Sequence, residues 1–307
     1  MNESMPQGDA STLEREVAQA RDGDRGALES VVRAVQKDVY NLALRFLWHP
    51  QDAEDATQEI LIRIVTGLSS FRGESDFRTW VYRVACNRLL TLQKQRMELH
   101  PVSFDEFGED LIRGMSGDSL SVEYDLDEKL MLEEVKIGCT LAMLLCLDRD
   151  QRLAYILGEI VGLEHNRAAE VLEITSAAYR KRLSRARARI VSFMTLHCGL
   201  VNPANACRCR RRVKAAVALG RIDPSNLLFA SSLEQARQFP PVLDEIRRLE
   251  NARRAAALYQ SHPEAQPSEG FVSWLKRLTN ETPDGRLGDS AAQQQHAADR
   301  TSHRGGC

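Results

Sequence analysis

Between Tyr179 and Arg189 the chain places Arg180, Lys181, Arg182, Arg185, Arg187 and Arg189 with no acidic residue among them. Cations at that density neutralise phosphates, and a nucleic-acid backbone is their natural counterpart. The plainer alternative is a solvated basic face on an ordinary helix. The segment before the cluster favours the first reading. A short helix ends near Gly162, a second covers about 165–172 with Ala168, Val171 and Leu172 inward, and Glu173-Ile174-Thr175 breaks it. Thr175 or Ser176 can cap a third helix, which then carries the cations. Two helices joined by a turn of three or four residues, the second basic, make a helix-turn-helix. Its candidate DNA-contacting residues are Ser176, Ala177, Tyr179, Arg180, Lys181, Arg182 and Arg185.

A second set lies at 52–96. Asp52, Asp55, Gln58 and Glu59 form an acidic face opposite Ala56 and Ile60, suited to a basic partner. Further on, Phe71, Phe77, Trp80 and Tyr82 interleave with Arg72, Arg78, Arg83, Arg88, Lys94 and Arg96. Opening a duplex calls for aromatic stacking surfaces beside cations that hold phosphates. Phe71, Arg72, Phe77, Arg83 and Arg88 are the candidates for that work, whereas Trp80 shares the apolar face of Val84 and belongs to the core.

A third set is His197-Cys198 followed by Cys207-Arg208-Cys209. Three thiols and an imidazole within thirteen residues can make a tetrahedral zinc site. Neighbouring arginines equally suit a redox switch, and unliganded cysteines are the third reading. Cys86, Cys139 and Cys146 fall on or near apolar helix faces, as small core residues do. No phosphate-binding glycine loop, H-E-x-x-H run or nucleophile elbow occurs, so no enzyme is expected.

The elements that must position these residues read as helices. Leu28, Val31, Val32, Val35, Val39, Leu42 and Phe46 draw one stripe, and His49-Pro50 ends it. Asp52 stands in N-cap position for a second helix, with Ala53, Ala56, Ile60, Ile64 and Leu68 inward. Ser75 or Asp76 caps a third, which turns Trp80, Val81, Val84 and Leu92 to the core. Residues 97–127 are acidic, glycine-interrupted and without helical period, which reads as a flexible linker. Eleven Asp/Glu in 103–134 face only Arg113 and Lys129, so a net charge of −2 over 307 residues hides one acidic and one basic region. Beyond Gly199 come helix-like stretches at 210–219, 233–260 (interrupted by Pro240-Pro241) and 271–278, then a polar tail expected to be disordered. The stripe Leu243, Ile246, Leu249 and Leu258 must be buried against something. No run reaches the roughly 18–20 apolar residues that span a bilayer. The N-terminus lacks signal-peptide character, so a cytoplasmic location is expected.

Residues 52–96 resemble, along their whole length, the first domain of the extracytoplasmic-function sigma factors of bacterial RNA polymerase. Residues 154–190 resemble their promoter-recognition domain, matching at Ala178-Tyr179-Arg180-Lys181-Arg182 and Arg185-Ala186-Arg187. Two departures stand out: Glu173 replaces the turn glycine, and Ala178-Tyr179 replace a small pair. The resemblance covers about 11–195 and implies two roles for the first domain. Its acidic helix docks on the β′ clamp of core polymerase, and Asn87 reads a flipped base of the minus-ten element. The helix-turn-helix reads the minus-thirty-five element, and an anti-sigma factor is admitted as a further partner. The expected architecture is all-α: a sigma domain at 11–97, an acidic linker at 98–127, a helix-turn-helix sigma domain at 128–195, a helical extension at 196–280 and a tail at 281–307. The competing readings are a free-standing helix-turn-helix regulator and a metal- or thiol-responsive DNA-binding sensor; a use for 52–96 distinguishes the sigma reading from both.

Overall fold

The computed structural model describes residues 7–92, 103–114, 128–230 and 251–280, with a few single positions between 231 and 250. Among them are twelve α-helices and no strand. Helices α1 (Gln7–Arg21), α2 (Arg25–Leu47), α3 (Pro50–Gly67) and α4 (Phe77–Thr91) build the first module. α2 is its axis and buries Val31, Val32, Val35, Val39, Leu42 and Phe46, each at 1% exposure or less. Full burial of such side chains stabilises by about 1.5–3 kcal/mol apiece. Asp24 caps α2, and Asp76 caps α4 by accepting from the Thr79 amide at 3.0 Å. The cap of α3 differs from expectation. His49 fills it, its Nδ1 accepting from the Gln51 amide at 3.3 Å, because Pro50 is pre-set for the first helical position and starts the helix before Asp52.

The expected linker contains a helix. α5 (Phe104–Arg113) opens with a capping box, in which Ser103 and Glu106 satisfy each other's backbone amides. Phe104 and Phe107 pack their rings on Phe193 at 5.3 and 5.5 Å. The two flanks, 93–102 and 115–127, lie outside the described residues.

The second module holds α6 (Glu128–Leu145), α7 (Arg149–Tyr155, continued as a π-helical turn over Ile156–Ile160), α8 (His165–Val171) and α9 (Ser176–His197). Two arginines at the start of α7 join the modules. The buried Arg152 donates to the carbonyls of Phe46 (2.7 Å), Leu144 (3.0 Å) and Leu147 (3.2 Å). Arg149 donates to those of Leu90 (3.0 Å) and Leu92 (2.7 Å). Carbonyls at helix C-termini have no partner inside their own helix and carry partial negative charge, so a guanidinium suits them. One continuous apolar core runs through both modules.

The extension closes over this core. α10 (Cys209–Ala218) packs on α6 around a satellite cluster of Met131, Val135, Val213, Ala216 and Ile222. Glu134 receives the amides of Leu228, Phe229 and Ala230 at 2.8–2.9 Å, which turns the chain back. α11 (Asn251–Gln260) sinks Leu258 and Tyr259 against α9 and the π turn. α12 (Glu269–Asn280) lies on α2. Of the expected stripe, Leu258 is buried and Leu249 half-buried, while Leu243 and Ile246 lie outside the described residues. The tail at 281–307 is also outside them.

Candidate nucleic-acid interface

α8 and α9 form the expected helix-turn-helix. Thr175 is the N-cap of α9, its hydroxyl accepting from the Ala178 amide at 3.2 Å. Glu173 sits in the turn at φ 53°, a conformation that glycine adopts without penalty. Tyr179, Leu183, Ala186, Ile190, Phe193 and Met194 face inward. Tyr179 is therefore not a DNA contact. It is fully buried, and its hydroxyl donates to the Ala154 carbonyl at 3.2 Å. Its position four residues before Leu183 and seven before Ala186 puts it on the inner stripe.

The outer face carries the cations, in two groups. Arg182 pairs with Asp150 at 3.3 Å and Arg187 with Glu159, so both are partly spent within the protein. Arg180, Lys181 and Arg185 are exposed and have no carboxylate partner among the described residues. Ala177 is exposed beside them, and the Ser176 hydroxyl donates to Asn166 Oδ1 at 2.7 Å.

On the first module, two expected melting residues belong to the interior. Phe71 and Phe77 are 9% and 2% exposed and pack with Trp80 at centroid distances of 5.4–5.6 Å. Three large rings release more free energy by packing together than by waiting in water for a base. Arg72 remains exposed, with Glu74 at 3.9 Å. Arg88 is paired with Glu59 at 2.5 Å, an ion pair between α4 and α3. On the acidic face Asp55 is exposed, whereas Asp52, Gln58 and Glu59 are half-buried. Partial burial raises the Asp55 carboxyl above its ordinary range, with Asp52, Glu54 and Glu59 adding to the shift and the Gln51 amide opposing it.

The two candidate faces touch. Arg83 pairs with Glu170 at 2.8 Å, and the Asn87 amide donates to Glu173 Oε2 at 3.0 Å. Arg167 donates to Thr79 Oγ1 at 2.6 Å and pairs with Asp76. The residues expected to read one DNA element thus rest on the turn that presents the other. The extension also reaches the acidic helix. Glu54, which sequence reasoning did not single out, accepts the Ser268 amide at 2.6 Å and its hydroxyl at 2.9 Å, holding the start of α12. Asn41 exchanges two hydrogen bonds with the Ala265 backbone (3.0 and 3.3 Å), and Lys37 pairs with Glu264.

The expected set His197, Cys198, Cys207 and Cys209 is not assembled. The His197 ring packs against Phe193 with centroids 4.7 Å apart and lies beside Gly108. Among the described residues, no three His, Cys, Asp or Glu side chains stand as a ready metal site.

Residues 31–97 match the family model described as Sigma-70 region 2, and residues 137–190 match Sigma-70, region 4. The chain is 31% identical over 174 residues to the RNA polymerase sigma-H factor of Pseudomonas aeruginosa, covering 57% of this chain and 89% of that protein. It is 32% identical over 177 residues to the ECF RNA polymerase sigma-E factor of Escherichia coli strain K12, covering 57% and 90%. A solved structure of CnrH with the cytosolic domain of CnrY overlaps 58% of this chain and 94% of that one, at 23% identity and a TM-score of 0.41.

Proposed function

Because the chain belongs to the extracytoplasmic-function sigma factors of bacterial RNA polymerase, we propose a division of labour among its residues and a closed resting state. The protein directs core polymerase to specific promoters and initiates transcription there; its family acts as initiation factors rather than as enzymes. The observation that carries this is the pair of matched regions in their proper order, in relatives covered over nine-tenths of their length or nearly so. Among the described residues no helix is long and apolar enough to cross a membrane. The place of action is the cytoplasm, where polymerase works.

α3 docks on the β′ clamp through Asp52, Asp55, Gln58 and Glu59. Arg83, Asn87 and, once freed of Glu59, Arg88 engage the minus-ten element, with Arg72 on the backbone nearby. Ser176, Ala177, Arg180, Lys181 and Arg185 engage the minus-thirty-five element, with Arg182 beside them. The module boundaries at 11–97 and 128–195 follow that division, and 196–280 is a regulatory segment.

The resting arrangement is closed. The two promoter elements are roughly 25 base pairs apart, or ~85 Å of duplex at 3.4 Å each. Asn87 here touches Glu173, three residues before the recognition helix begins. Both elements cannot be read with these helices in contact, so the α4–α8 interface must part. The extension opposes parting, because it is anchored to α2 and α3 at one end and to α6 and α9 at the other. Run-off transcription with core polymerase and a promoter library tests the reading. Promoter-specific initiation by the full-length chain, faster after removal of 196–307, is the expected result. Sequence-specific DNA binding that never depends on polymerase would replace it with the free-standing regulator.

A further inference from the structure

Where the extension crosses the first module, it is held as a peptide ligand is held. Residues 263–268 form no helix or turn. Pro263 and Pro267 fix their own φ and disfavour helical backbone at the residue before each. Glu264 pairs with Lys37 of α2. At Ala265 only main chain is recognised: the Asn41 side-chain carbonyl accepts the Ala265 amide at 3.0 Å, and the Asn41 amide donates to the Ala265 carbonyl at 3.3 Å. Glu54 of α3 then uses both carboxylate oxygens on Ser268, accepting its amide at 2.6 Å and its hydroxyl at 2.9 Å.

Ser268 also caps α12, its Oγ accepting from the Phe271 amide at 3.2 Å. One oxygen thus donates to Glu54 and accepts from the helix, a combination that a serine or threonine hydroxyl supplies and an aspartate cannot. Beyond the cap, Phe271, Trp274, Leu275 and Leu278 fall at i, i+3, i+4 and i+7, and all four turn to the core. The Phe271 and Tyr40 rings lie 6.4 Å apart, while Leu275 meets Val32 and Gln36, so α12 runs antiparallel to α2. Anchors at that spacing are how a groove holds an amphipathic helix.

The seat suits a ligand that comes and goes. Its polar anchors, Lys37, Asn41 and Glu54, regain water when the segment lifts, so departure strands no buried charge. The apolar fit is loose. A cleft of about 80 Å³ opens between α2 and α12, bounded by Val32, Gln36, Val272 and Leu275. Gln36 Oε1 is buried there without a hydrogen-bond partner among the described residues. Interdigitated cores leave few gaps of that kind and pair their buried polar atoms.

We propose that α2 and α3 form a peptide-binding groove whose ligand is an acidic, proline-stiffened stretch leading into a serine- or threonine-capped amphipathic helix, and that residues 264–278 are its reversibly bound resident. Specificity is divided along the ligand. Lys37 selects a carboxylate, Asn41 reads main chain, Glu54 demands a hydroxyl, and the four anchors set the helix face. A tethered ligand meets its site at an effective concentration on the order of millimolar, so a weak intrinsic affinity keeps it seated. Release frees α2 and α3 from the extension. The consequence of release for promoter access rests on the closed state proposed above; the groove itself does not.

The test keeps the full-length chain and vacates its groove with Phe271→Asp and Leu275→Asp together. A fluorescein-labelled synthetic peptide of residues 262–280 should bind this variant at least ~tenfold more tightly, by anisotropy, than it binds the unaltered chain, where the resident copy competes. In the vacated chain, Asn41→Ala or Glu54→Ala should each weaken the peptide about fivefold. A peptide carrying Ser268→Thr should bind as the native one does, and one carrying Ser268→Asp about tenfold worse. Should the vacated chain not fold, hydrogen exchange in the unaltered chain decides: α12 amides should exchange at least ~tenfold faster than those of α2, by local opening. A folded, vacated chain that does not bind the peptide, equal binding of a scrambled peptide, or α12 amides as slow as those of α2 would each overturn the groove. Neither measurement involves polymerase or DNA, so the groove can fail while promoter-specific initiation stands, and initiation can fail while the groove holds.

Discussion

Replacing Glu173 with glycine separates two effects that most substitutions confound. Glu173 holds φ at 53°, and a side chain there costs about 1 kcal/mol relative to glycine. It also accepts the Asn87 amide at 3.0 Å in an exposed hydrogen bond. Such a bond contributes about 0.5–1 kcal/mol, which is a factor of roughly two to five in an equilibrium between closed and parted modules. Glu173→Gly removes the strain and the hydrogen bond together. Glu173→Gly should therefore melt about 2–4 °C above Glu173→Ala, the difference that 1 kcal/mol of strain implies for a chain of this size, and bind minus-ten single strand roughly two- to fivefold better than the unaltered chain. Glu173→Ala should show the same gain in binding while keeping the strain. Thermal melts and fluorescence anisotropy with a labelled minus-ten oligonucleotide measure both quantities. Unchanged DNA binding in both variants would refute the closed-state argument, and equal melting temperatures for the two would refute the strain argument.

Asp55→Lys should weaken core-polymerase affinity by about 1 kcal/mol, or fivefold, while moving stability by less than about 0.5 kcal/mol, since Asp55 is exposed. Alanine at Arg180, Lys181 and Arg185 should flatten the log–log salt dependence of promoter binding by about one unit for each phosphate that is no longer neutralised; an unchanged slope would mean the wrong face was chosen. His262 is held neutral well below its ordinary range by burial first and then by Lys136 and Arg45, and its Nε2 lies 2.9 Å from Thr140 Oγ1. The unfolded chain therefore binds the extra proton first. Stability should fall as pH drops below ~6.5, by up to about 1.4 kcal/mol per unit, in urea melts. His262→Phe should lose that slope.

Helix faces and most caps were legible in the sequence, because both are local. The α2 stripe, Asp76 and Thr175 are read directly from spacing and residue type. The α5 helix was missed although Ser103-x-x-Glu106 is a capping box, because acidic composition and glycines outweighed ten residues of weak period. The aromatics mark a different limit. Cations flank Phe77 and Tyr179 in sequence, yet successive residues of a helix point about 100° apart, so the flanking charge says little about where a ring points. For Tyr179 the stripe with Leu183 and Ala186 was the better guide. Glu54 was beyond reach, since it is defined by a partner far away along the chain.

The bonds between Asn41 and Ala265 span 224 residues, and this has a consequence for synthesis. Both promoter-facing modules leave the ribosome before the segment that fastens them. At about 5–20 residues per second, the 85 or so residues from 196 to 280 take ~4–17 s to follow. For that interval each newborn chain carries both modules without the clasp that later ties them together. A burst of translation therefore delivers a brief pulse of unlatched molecules, whatever signal opens the finished ones.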